Sequence, residues 1–376
     1  MRNEELGMSI YWSEKTRRLD PYVPGEQPRE RKIIKLNTNE NPYPPSPMVI
    51  EAIKKAAAET LRLYPDPDCT ELREAAAERY GIKTAQVFAS NSSDEVLAFA
   101  FAAFFESASG GTPVLFPDIT YSFYPVYAAL WDIPCKTIPL SDDFSIDPVP
   151  YCDKSGGVVL ANPNAPTGIA LSTKELKKIT EAAERNKRVM LVDEAYIAFN
   201  EQDQDSMLPL IDEFPNLLVT RTLSKEASLA GLRVGFAFGR EELIEGLCRI
   251  RDSFNSYTLD RLAQAGAAAA IKDASYYDEI NNKIITTRCR VARELEAQGF
   301  KVLPSQANFL FASPPTERAQ EFYMALRELG ILVRHFNKPR ISGFLRISMG
   351  TDDDMDIFLE ACGEIIKEQR AKNNEK

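Results

Sequence analysis

The chain has 376 residues and carries 45 basic and 55 acidic side chains, so its formal net charge at pH 7 is -10. Hydrophobic residues make up 44% and charged residues 27%, a balance typical of a soluble globular protein long enough for two domains. The acidic excess and the lack of a basic cluster argue against a nucleic-acid partner.

The numbers and spacing of cysteines and histidines further limit the kinds of site that the chain can contain. The six cysteines form no CxxC pair, which fits reduced thiols in a cytoplasm better than a disulfide frame or a zinc site. His335 is the only histidine, which excludes histidine triads and histidine metal sites. The start, MRNEELGMSIYW, lacks the blocks of a signal peptide, and no apolar run is long enough to span a bilayer. We therefore expect a cytoplasmic protein with no metal and no membrane partner.

The first predicted element is an arm over residues 1–40 that packs with a small domain or with a partner subunit. Its start is polar and interrupted by prolines, and Tyr22 is its candidate aromatic anchor. The stretch LNTNENPYPPSP, residues 36–47, is too rich in proline and asparagine for regular structure. A helix follows, with Ser46 as its N-cap.

Residues 87–105, VFASNSSDEVLAFAFAAFF, are predicted to form a strand, a polar turn and a buried helix that begins near Asp94. Free N–H groups and the positive end of the helix dipole attract anions, so Ser92, Ser93 and Asp94 are candidates for an anion site. A helix cap without a ligand is the alternative.

Two later apolar strands are each followed by a polar cluster. Residues 158–161 precede NPNAPTG, and residues 189–192 precede DEAY, while Ser172 and Glu175 predict a capping box at the helix between them. The clusters recur about every 30 residues, the length of one βαβ unit. Ligands of open α/β sheets bind beyond the carboxyl ends of the strands, so we expect these clusters to meet in space.

Residues 217–239, LLVTRTLSKEASLAGLRVGFAFG, place a lysine between two apolar strands. Lys225 is unfavourable as a buried cation, so it either reaches solvent or reacts as a neutral amine with a lowered pKa. Thr222, Ser224 and Arg233 offer hydroxyls and a guanidinium, which suit a phosphate dianion. An amine beside a phosphate clamp suggests pyridoxal phosphate held as a Schiff base, and a surface lysine beside a solvated arginine is the alternative.

We predict a domain change near residue 266, with a large domain over residues 41–265 and a smaller one over residues 266–376. In the smaller domain, ILVRHFNKPRISGFLRISMGT carries Arg334 and Arg346. Arg346 interrupts an apolar strand, and an unpaired buried guanidinium costs several kcal/mol, so it needs an anionic partner. A surface position is the simpler interpretation for Arg334.

The chain resembles the class I/II aminotransferases, and most closely the histidinol-phosphate enzymes among them. The resemblance rests on the string TLSKEASLAGLRVG, preceded along the chain by NENP, NPNAPTG and DEAY and followed by FLRISMGT. The resemblance covers nearly the whole chain. It implies fold type I, an α/β large domain whose mostly parallel seven-stranded sheet is sandwiched by helices, plus a smaller α+β domain. It also implies pyridoxal 5'-phosphate as the cofactor and a homodimer with a shared active site.

The resemblance assigns catalytic roles to Lys225 as Schiff-base link and general base, to Asp193 beside the cofactor's ring nitrogen, and to Tyr196 on its phenolic oxygen. Further cofactor contacts are implied for Ser92, Ser93, Asp94, Tyr121, Asn162, Asn164, Thr222, Ser224, Arg233 and, contributed to the other subunit's site, Tyr64. Substrate contacts are implied for Tyr22, Asn41, Arg334 and Arg346.

The chain departs from the family pattern at two positions. The family motif NPxNPTG has a second asparagine that bonds the cofactor's phenolic oxygen, and Ala165 stands there instead. That bond is then lost or is supplied by Asn162 or Asn164. The family has glycine at the position of Ser92, so we expect the turn there to adopt a shape open to a side chain.

The implied reaction is transamination of L-histidinol phosphate with 2-oxoglutarate in a ping-pong cycle. Two alternatives on the same scaffold stay open, an aromatic amino acid aminotransferase and a threonine-phosphate decarboxylase. A binding or regulatory module without activity would have no reason to keep Lys225 together with Asp193, Tyr196 and Arg233.

Overall fold

The structure, a computed structural model, describes residues 9–22, 24–27, 33–106, 111–200, 206–315 and 318–374. The remainder of the expected arm, residues 1–8, 23 and 28–32, lies outside the described residues. The α-helices are α1 (Glu14–Arg18), α2 (Pro47–Ala56), α3 (Thr70–Tyr80), α4 (Ser92–Phe104), α5 (Tyr124–Leu130), α6 (Thr173–Arg185), α7 (Leu223–Glu226), α8 (Glu241–Phe254), α9 (Arg261–Lys272), α10 (Ala274–Ala297), α11 (Ala319–Glu328) and α12 (Asp352–Asn374). The strands are β1 (Ile34–Lys35), β2 (Val87–Asn91), β3 (Val114–Pro117), β4 (Cys135–Ile138), β5 (Gly157–Ala161), β6 (Met190–Asp193), β7 (Leu217–Thr222), β8 (Val234–Gly239), β9 (Lys301–Val302), β10 (Phe309–Ser313), β11 (Ile331–Leu332), β12 (Arg334–His335) and β13 (Leu345–Ser348).

Capping side chains set several helix starts. The hydroxyl of Ser46 accepts a backbone N–H in the first turn of α2 at 3.4 Å, as predicted. Ser172 and Glu175 form the predicted reciprocal capping box at α6. The arm contains a short helix, α1, that the sequence did not predict, and Ser13 caps it by accepting from the Thr16 N–H at 3.2 Å.

Within the described residues the central sheet has seven strands in the order β2-β8-β7-β6-β5-β3-β4, and β8 runs antiparallel to the other six. Side chains along β5 alternate between two apolar clusters, with Val158 and Leu160 in one and Val159 and Ala161 in the other. Helices α4, α5 and α8 contribute to one cluster, and α3, α6 and α9 to the other. A sheet buried on both faces explains the continuous apolar runs of its strands and confirms the predicted α/β class.

The parallel strands β5, β6 and β7 end at one edge of this sheet. Ala161 pairs with Asp193, and Asp193 pairs with Thr220 on the next strand. The segments NPNAPTG, DEAY and the lysine loop therefore leave the sheet side by side.

A second, antiparallel sheet lies in the C-terminal part of the chain, with four strands in the order β12-β13-β10-β9. Helices α10, α11 and α12 pack with it. In its register Arg334 stands directly opposite Arg346 on the neighbouring strand. The arm reaches this part of the fold as well, because β1 pairs in parallel with β11.

The predicted boundary between residues 265 and 266 falls inside α9, which packs against α2 and α3 beside the large sheet. The change of core comes later, along α10. Tyr277 and Ile280 belong to an apolar cluster of the large sheet, and Ile284 and Val291 to that of the smaller sheet. The division into domains stays a prediction, with α10 as the element that joins the two cores.

None of the helices in the described ranges is long and apolar enough to cross a membrane. The histidine, cysteine and acidic side chains of these ranges form no group of three or more that could hold a metal ion.

Candidate active site

A cavity opens at the carboxyl edge of β5, β6 and β7 and extends to the paired arginines of β12 and β13. Most of the predicted site residues line it, together with Ala165: Tyr22, Ser92, Ser93, Asp94, Tyr121, Asp193, Tyr196, Thr222, Ser224, Lys225, Arg233, Arg334 and Arg346. Residues that are far apart in sequence therefore meet at the edge where the polar clusters were expected.

Lys225 lies on α7, a single helical turn that follows β7 directly. The Thr222 hydroxyl caps this turn by accepting from the Ser224 N–H at 3.2 Å. The Lys225 amine donates to the Thr38 carbonyl at 3.0 Å. Burial, and then the nearby charge of Arg346, lower the pKa of Lys225 from 10.5 to about 8. A fraction of this amine is therefore neutral and nucleophilic near neutral pH.

Asp193 ends β6 and is only 4% exposed. Its carboxylate accepts from the Tyr124 hydroxyl at 3.0 Å, from the Thr220 hydroxyl at 3.2 Å and from the Ala195 N–H at 3.3 Å. Burial raises the pKa of Asp193 to about 6, while these donors favour the charged form. The group is therefore a buried carboxylate at neutral pH. Tyr124 and Thr220 are positioning residues that the sequence did not reveal.

Asp94 organises the other side of the cavity. Its two carboxylate oxygens accept from the Tyr121 hydroxyl at 2.6 Å and from the Arg233 guanidinium at 2.9 Å. The Tyr121 ring meets Tyr124 edge-on, with ring centroids 5.6 Å apart. Asp94 thus fixes an aromatic face and a guanidinium in the same wall.

The N-terminus of α4 also lines the cavity, although the helix begins at Ser92 rather than near Asp94. Ser92 has φ of 69°, so the expectation that the turn would suit a side chain is wrong: the backbone keeps the left-handed conformation that glycine favours. Gly235 on β8 permits the close approach of this turn. A Cβ there would lie 2.2 Å from the Ser93 nitrogen.

The loop of residues 37–41 contacts three functional side chains. The Asn37 carbonyl accepts from Arg346 at 3.0 Å, the Thr38 carbonyl from the Lys225 amine, and the Asn39 amide donates to the Tyr196 hydroxyl at 3.0 Å. Residues 37–39, which lead into and begin the NENP segment, therefore form part of the cavity wall.

Asn41, a predicted substrate contact, does not line the cavity. Its amide donates to the Lys225 carbonyl at 3.1 Å, and its oxygen accepts from the Tyr43 N–H at 3.0 Å. These bonds place Asn41 behind the lysine turn, so its position supports a role in holding Lys225 rather than the substrate.

Asn162 and Asn164 are likewise outside the cavity wall, and their side chains attach the NPNAPTG loop to neighbouring segments of the chain. Asn162 exchanges two bonds with the backbone of Leu171, at 2.7 and 3.2 Å. The Asn164 amide donates to the Ile119 carbonyl at 3.0 Å, and its oxygen accepts from the Thr120 hydroxyl at 2.8 Å. The structure brings neither to the cavity, where Ala165 presents a methyl group instead.

Arg334 and Arg346 form a pair of positive charges in the cavity wall. Arg346 lies between the rings of Phe309 and Phe336, each centroid 5.5 Å away, and its Nε is buried without a partner in the described chain. Burial and the charge of Arg334 lower the pKa of Arg346. Within the described ranges neither arginine has a carboxylate at ion-pair distance. The ring of Tyr22 lines the same cavity and packs on Phe123, with ring centroids 4.3 Å apart. This corner of the site therefore suits an anion.

Tyr64 is the one predicted residue that faces outward. Its side chain is 78% exposed and stacks on Tyr257 with centroids 4.5 Å apart. Leu61 and Leu63 beside it are also exposed, so a local apolar surface surrounds Tyr64. The structure does not bring it to the cavity of its own chain.

The fold and the cavity define a pyridoxal-phosphate-dependent transferase of fold type I. The sequence profile of aminotransferase class I and II matches residues 31–362, and the chain belongs to this family.

Relatives agree with this assignment. The histidinol-phosphate aminotransferase of Clostridium acetobutylicum is 53% identical over 359 residues, which cover 96% of this chain and 100% of that protein. The histidinol-phosphate aminotransferase of a Marinomonas species is 53% identical over 351 residues, covering 93% and 97%. Among solved structures, histidinol-phosphate aminotransferase from Sinorhizobium meliloti in complex with pyridoxal-5'-phosphate has a TM-score of 0.85 at 25% identity, covering 96% of this chain and 99% of that one.

The residues present fit the family's cofactor. Lys225 supplies an amine with a lowered pKa, and Asp193 a buried carboxylate. The Ser224 hydroxyl is buried without a hydrogen-bond partner in the described chain, near Arg233 and the α4 N-terminus. An unsatisfied buried hydroxyl, a guanidinium and a helix N-terminus are donors that a phosphate group would satisfy.

Proposed function

We propose that the chain catalyses transamination of L-histidinol phosphate with 2-oxoglutarate as the amino acceptor. The observation that carries this proposal is the pair Arg334 and Arg346, two guanidiniums without an acidic partner in the described chain, in the cavity that contains Lys225. A phosphate dianion matches two positive charges, whereas a single carboxylate would leave one of them unbalanced. The names of the relatives at 53% identity support the same substrate.

Lys225 has two tasks in this proposal. Pyridoxal phosphate, when bound, supplies an electron-withdrawing ring beside the carbon whose C–H bond breaks. The Lys225 amine would hold the cofactor covalently. Once free, its Nζ would take the proton from the substrate carbon and serve as its carrier within the cavity. A pKa of about 8 suits an amine that must both accept and release a proton near neutral pH.

The neighbouring side chains would orient the cofactor and polarise its ring. Asp193 would keep the ring nitrogen protonated, since its carboxylate is held charged by donors from Tyr124 and Thr220. The Tyr196 hydroxyl would serve the phenolic oxygen. Ser224, Arg233 and the N-terminal turn of α4 would hold the cofactor's phosphate, and Tyr121 would offer its aromatic face to the ring.

The same proposal includes a homodimer that shares its active sites. Tyr64 is 78% exposed, apolar residues surround it, and it is not among the described residues that line its own cavity. These features support a role for Tyr64 in completing the site of a second copy. Cys69, Cys135, Cys152, Cys248 and Cys362 are free thiols, which supports a reducing compartment such as the cytoplasm.

A single-turnover absorbance experiment tests the substrate. Histidinol phosphate added to the cofactor-loaded protein without an acceptor is expected to bleach the visible absorbance, and 2-oxoglutarate to restore it. Bleaching by phenylalanine or tyrosine but not by histidinol phosphate would indicate an aromatic amino acid aminotransferase. Release of carbon dioxide from phosphothreonine would indicate a decarboxylase.

A further inference from the structure

We propose that Asn39 sets the direction of the Tyr196 hydroxyl proton, so that this hydroxyl donates into the cavity. Asn39 is then a positioning residue for the cofactor's phenolic oxygen. The inference rests on the function proposed above and extends it to the first asparagine of NENP, to which the sequence assigned no role.

Asn39 is held rigidly in the loop of residues 37–41. It is 1% exposed, and its φ of 54° lies in the left-handed region that asparagine tolerates better than most residues. Its N–H donates to the Ser348 hydroxyl at 2.8 Å, and its carbonyl accepts from the Asn308 amide at 3.0 Å. The backbone of Asn39 is therefore attached to β13 and to the segment before β10.

The bonds of Ser348 determine which way the Asn39 amide faces. The Ser348 oxygen accepts from the Asn39 N–H, so its own proton needs another acceptor. Ser348 is 2% exposed, and in the described chain the acceptor that it reaches is the Asn39 side-chain oxygen, at 2.9 Å. A buried hydroxyl proton is rarely left unpaired. The Asn39 oxygen therefore faces Ser348, and its NH₂ group faces Tyr196.

The NH₂ group can only donate, so the Tyr196 oxygen must accept at this contact, 3.0 Å long. The Tyr196 proton consequently points elsewhere. The ring is fixed edge-on against Phe309, with centroids 5.2 Å apart, and the hydroxyl has no other partner in the described chain. Tyr196 lines the cavity, so its proton is available to an acceptor there.

Ala165 makes this direction consequential. Its methyl group lines the cavity, and the amides of Asn162 and Asn164 already donate to the carbonyls of Leu171 and Ile119. Tyr196 is thus left as the side chain that donates to the phenolic oxygen. The phenolic oxygen shares a proton with the nitrogen that joins Lys225 to the cofactor. A hydroxyl that donates to this oxygen makes it a weaker acceptor for the shared proton. The pKa of this nitrogen falls as a result.

The test is a pH titration of the visible absorbance of the cofactor-loaded protein. Asn39→Gly removes the amide without adding charge, and glycine suits the positive φ at this position. A hydrogen bond to a charged group is worth about 1.5–3 kcal/mol, so we expect the absorbance pKa to rise by about one to two pH units. Asn39→Asp replaces the donor by an acceptor and is expected to raise it further. Ser348→Ala frees the amide to rotate and is expected to give a smaller rise.

Each variant is repeated in a Tyr196→Phe background, which lacks the hydroxyl. The proposal predicts that Asn39→Gly and Ser348→Ala then leave the absorbance pKa unchanged. An equal rise with and without the hydroxyl, or no rise in its presence, would overturn the role of Asn39 and leave the proposed function standing. Wild-type protein that takes up no cofactor would instead refute the proposed function, and this inference with it.

Discussion

Replacing Arg346 by glutamine is expected to reduce kcat/KM for histidinol phosphate by about two to four orders of magnitude. The Arg346 guanidinium is shielded by two rings and keeps its Nε free of partners in the described chain. Removing a desolvated charge that binds an anion typically costs about 3–5 kcal/mol, and every 1.4 kcal/mol is about a factor of ten. Arg334→Gln is expected to cost about tenfold, because Arg334 is less enclosed.

The assay compares kcat/KM for histidinol phosphate with that for unphosphorylated histidinol, since the loss should be large for the phosphorylated substrate alone. Arg340→Gln is the matched control. Arg340 lies between β12 and β13, but its guanidinium already binds Asp118 at 3.3 Å and the carbonyls of Leu140 and Ser141 at 2.8 Å. An equal loss for both substrates, or an Arg340 variant as impaired as the Arg346 variant, would refute the assignment of the phosphate site.

Three further predictions follow from the site. Lys225→Met should stabilise the cofactor-free protein by about 3 kcal/mol at pH 7. This gain in stability should vanish as the pH rises from 8 to 10.5, where the native amine is neutral and the unfolded one is still charged. Urea unfolding at several pH values measures the gain, and a gain that does not depend on pH would contradict the prediction. Ser92→Gly should raise the free energy of unfolding by roughly 1 kcal/mol, because glycine relieves the positive φ. Gly235→Ala should lower both the stability and the affinity for the cofactor. Urea midpoints and a cofactor titration measure these changes, and a Ser92→Gly variant less stable than the wild type would contradict backbone strain at this position. Mixing inactive Lys225→Ala and Tyr64→Phe subunits should restore roughly a quarter of wild-type activity, because half of the dimers then pair the two variants and contain one intact site out of two. No recovery of activity after subunit exchange would argue against active sites shared between subunits.

The sequence predicted the sheet and the meeting of its polar clusters because both follow from simple patterns. Fully apolar strands such as 158–161 and 189–192 indicate a sheet buried on both faces, and right-handed βαβ units bring their carboxyl ends to one edge. Capping residues such as Ser46 predicted where helices begin, since the cap depends on neighbours in sequence.

The sequence could not show which polar side chains of a loop are free. Asn41, Asn162 and Asn164 looked like ligand contacts, yet their amides are used by nearby backbone groups. Tyr124 and Thr220 went unrecognised because their contact with Asp193 depends on how α5 and β7 pack across the sheet. Such contacts join residues that are distant in the chain, so no local pattern marks them.

The same limit applies to backbone conformation and to assembly. A serine in place of a glycine suggested a relaxed turn at Ser92, but the approach of α4 to Gly235 keeps the left-handed conformation. The exposure of Tyr64 fits the predicted dimer, which a measurement of the oligomeric state tests.

The central claim, that Lys225 holds pyridoxal phosphate, is tested most directly by reducing the cofactor-loaded protein with borohydride and mapping the labelled peptide by mass spectrometry. We expect one pyridoxyl-phosphate group per chain, attached to Lys225 within TLSKEASLAGLR. A label on another lysine, or no stable label, would contradict the account.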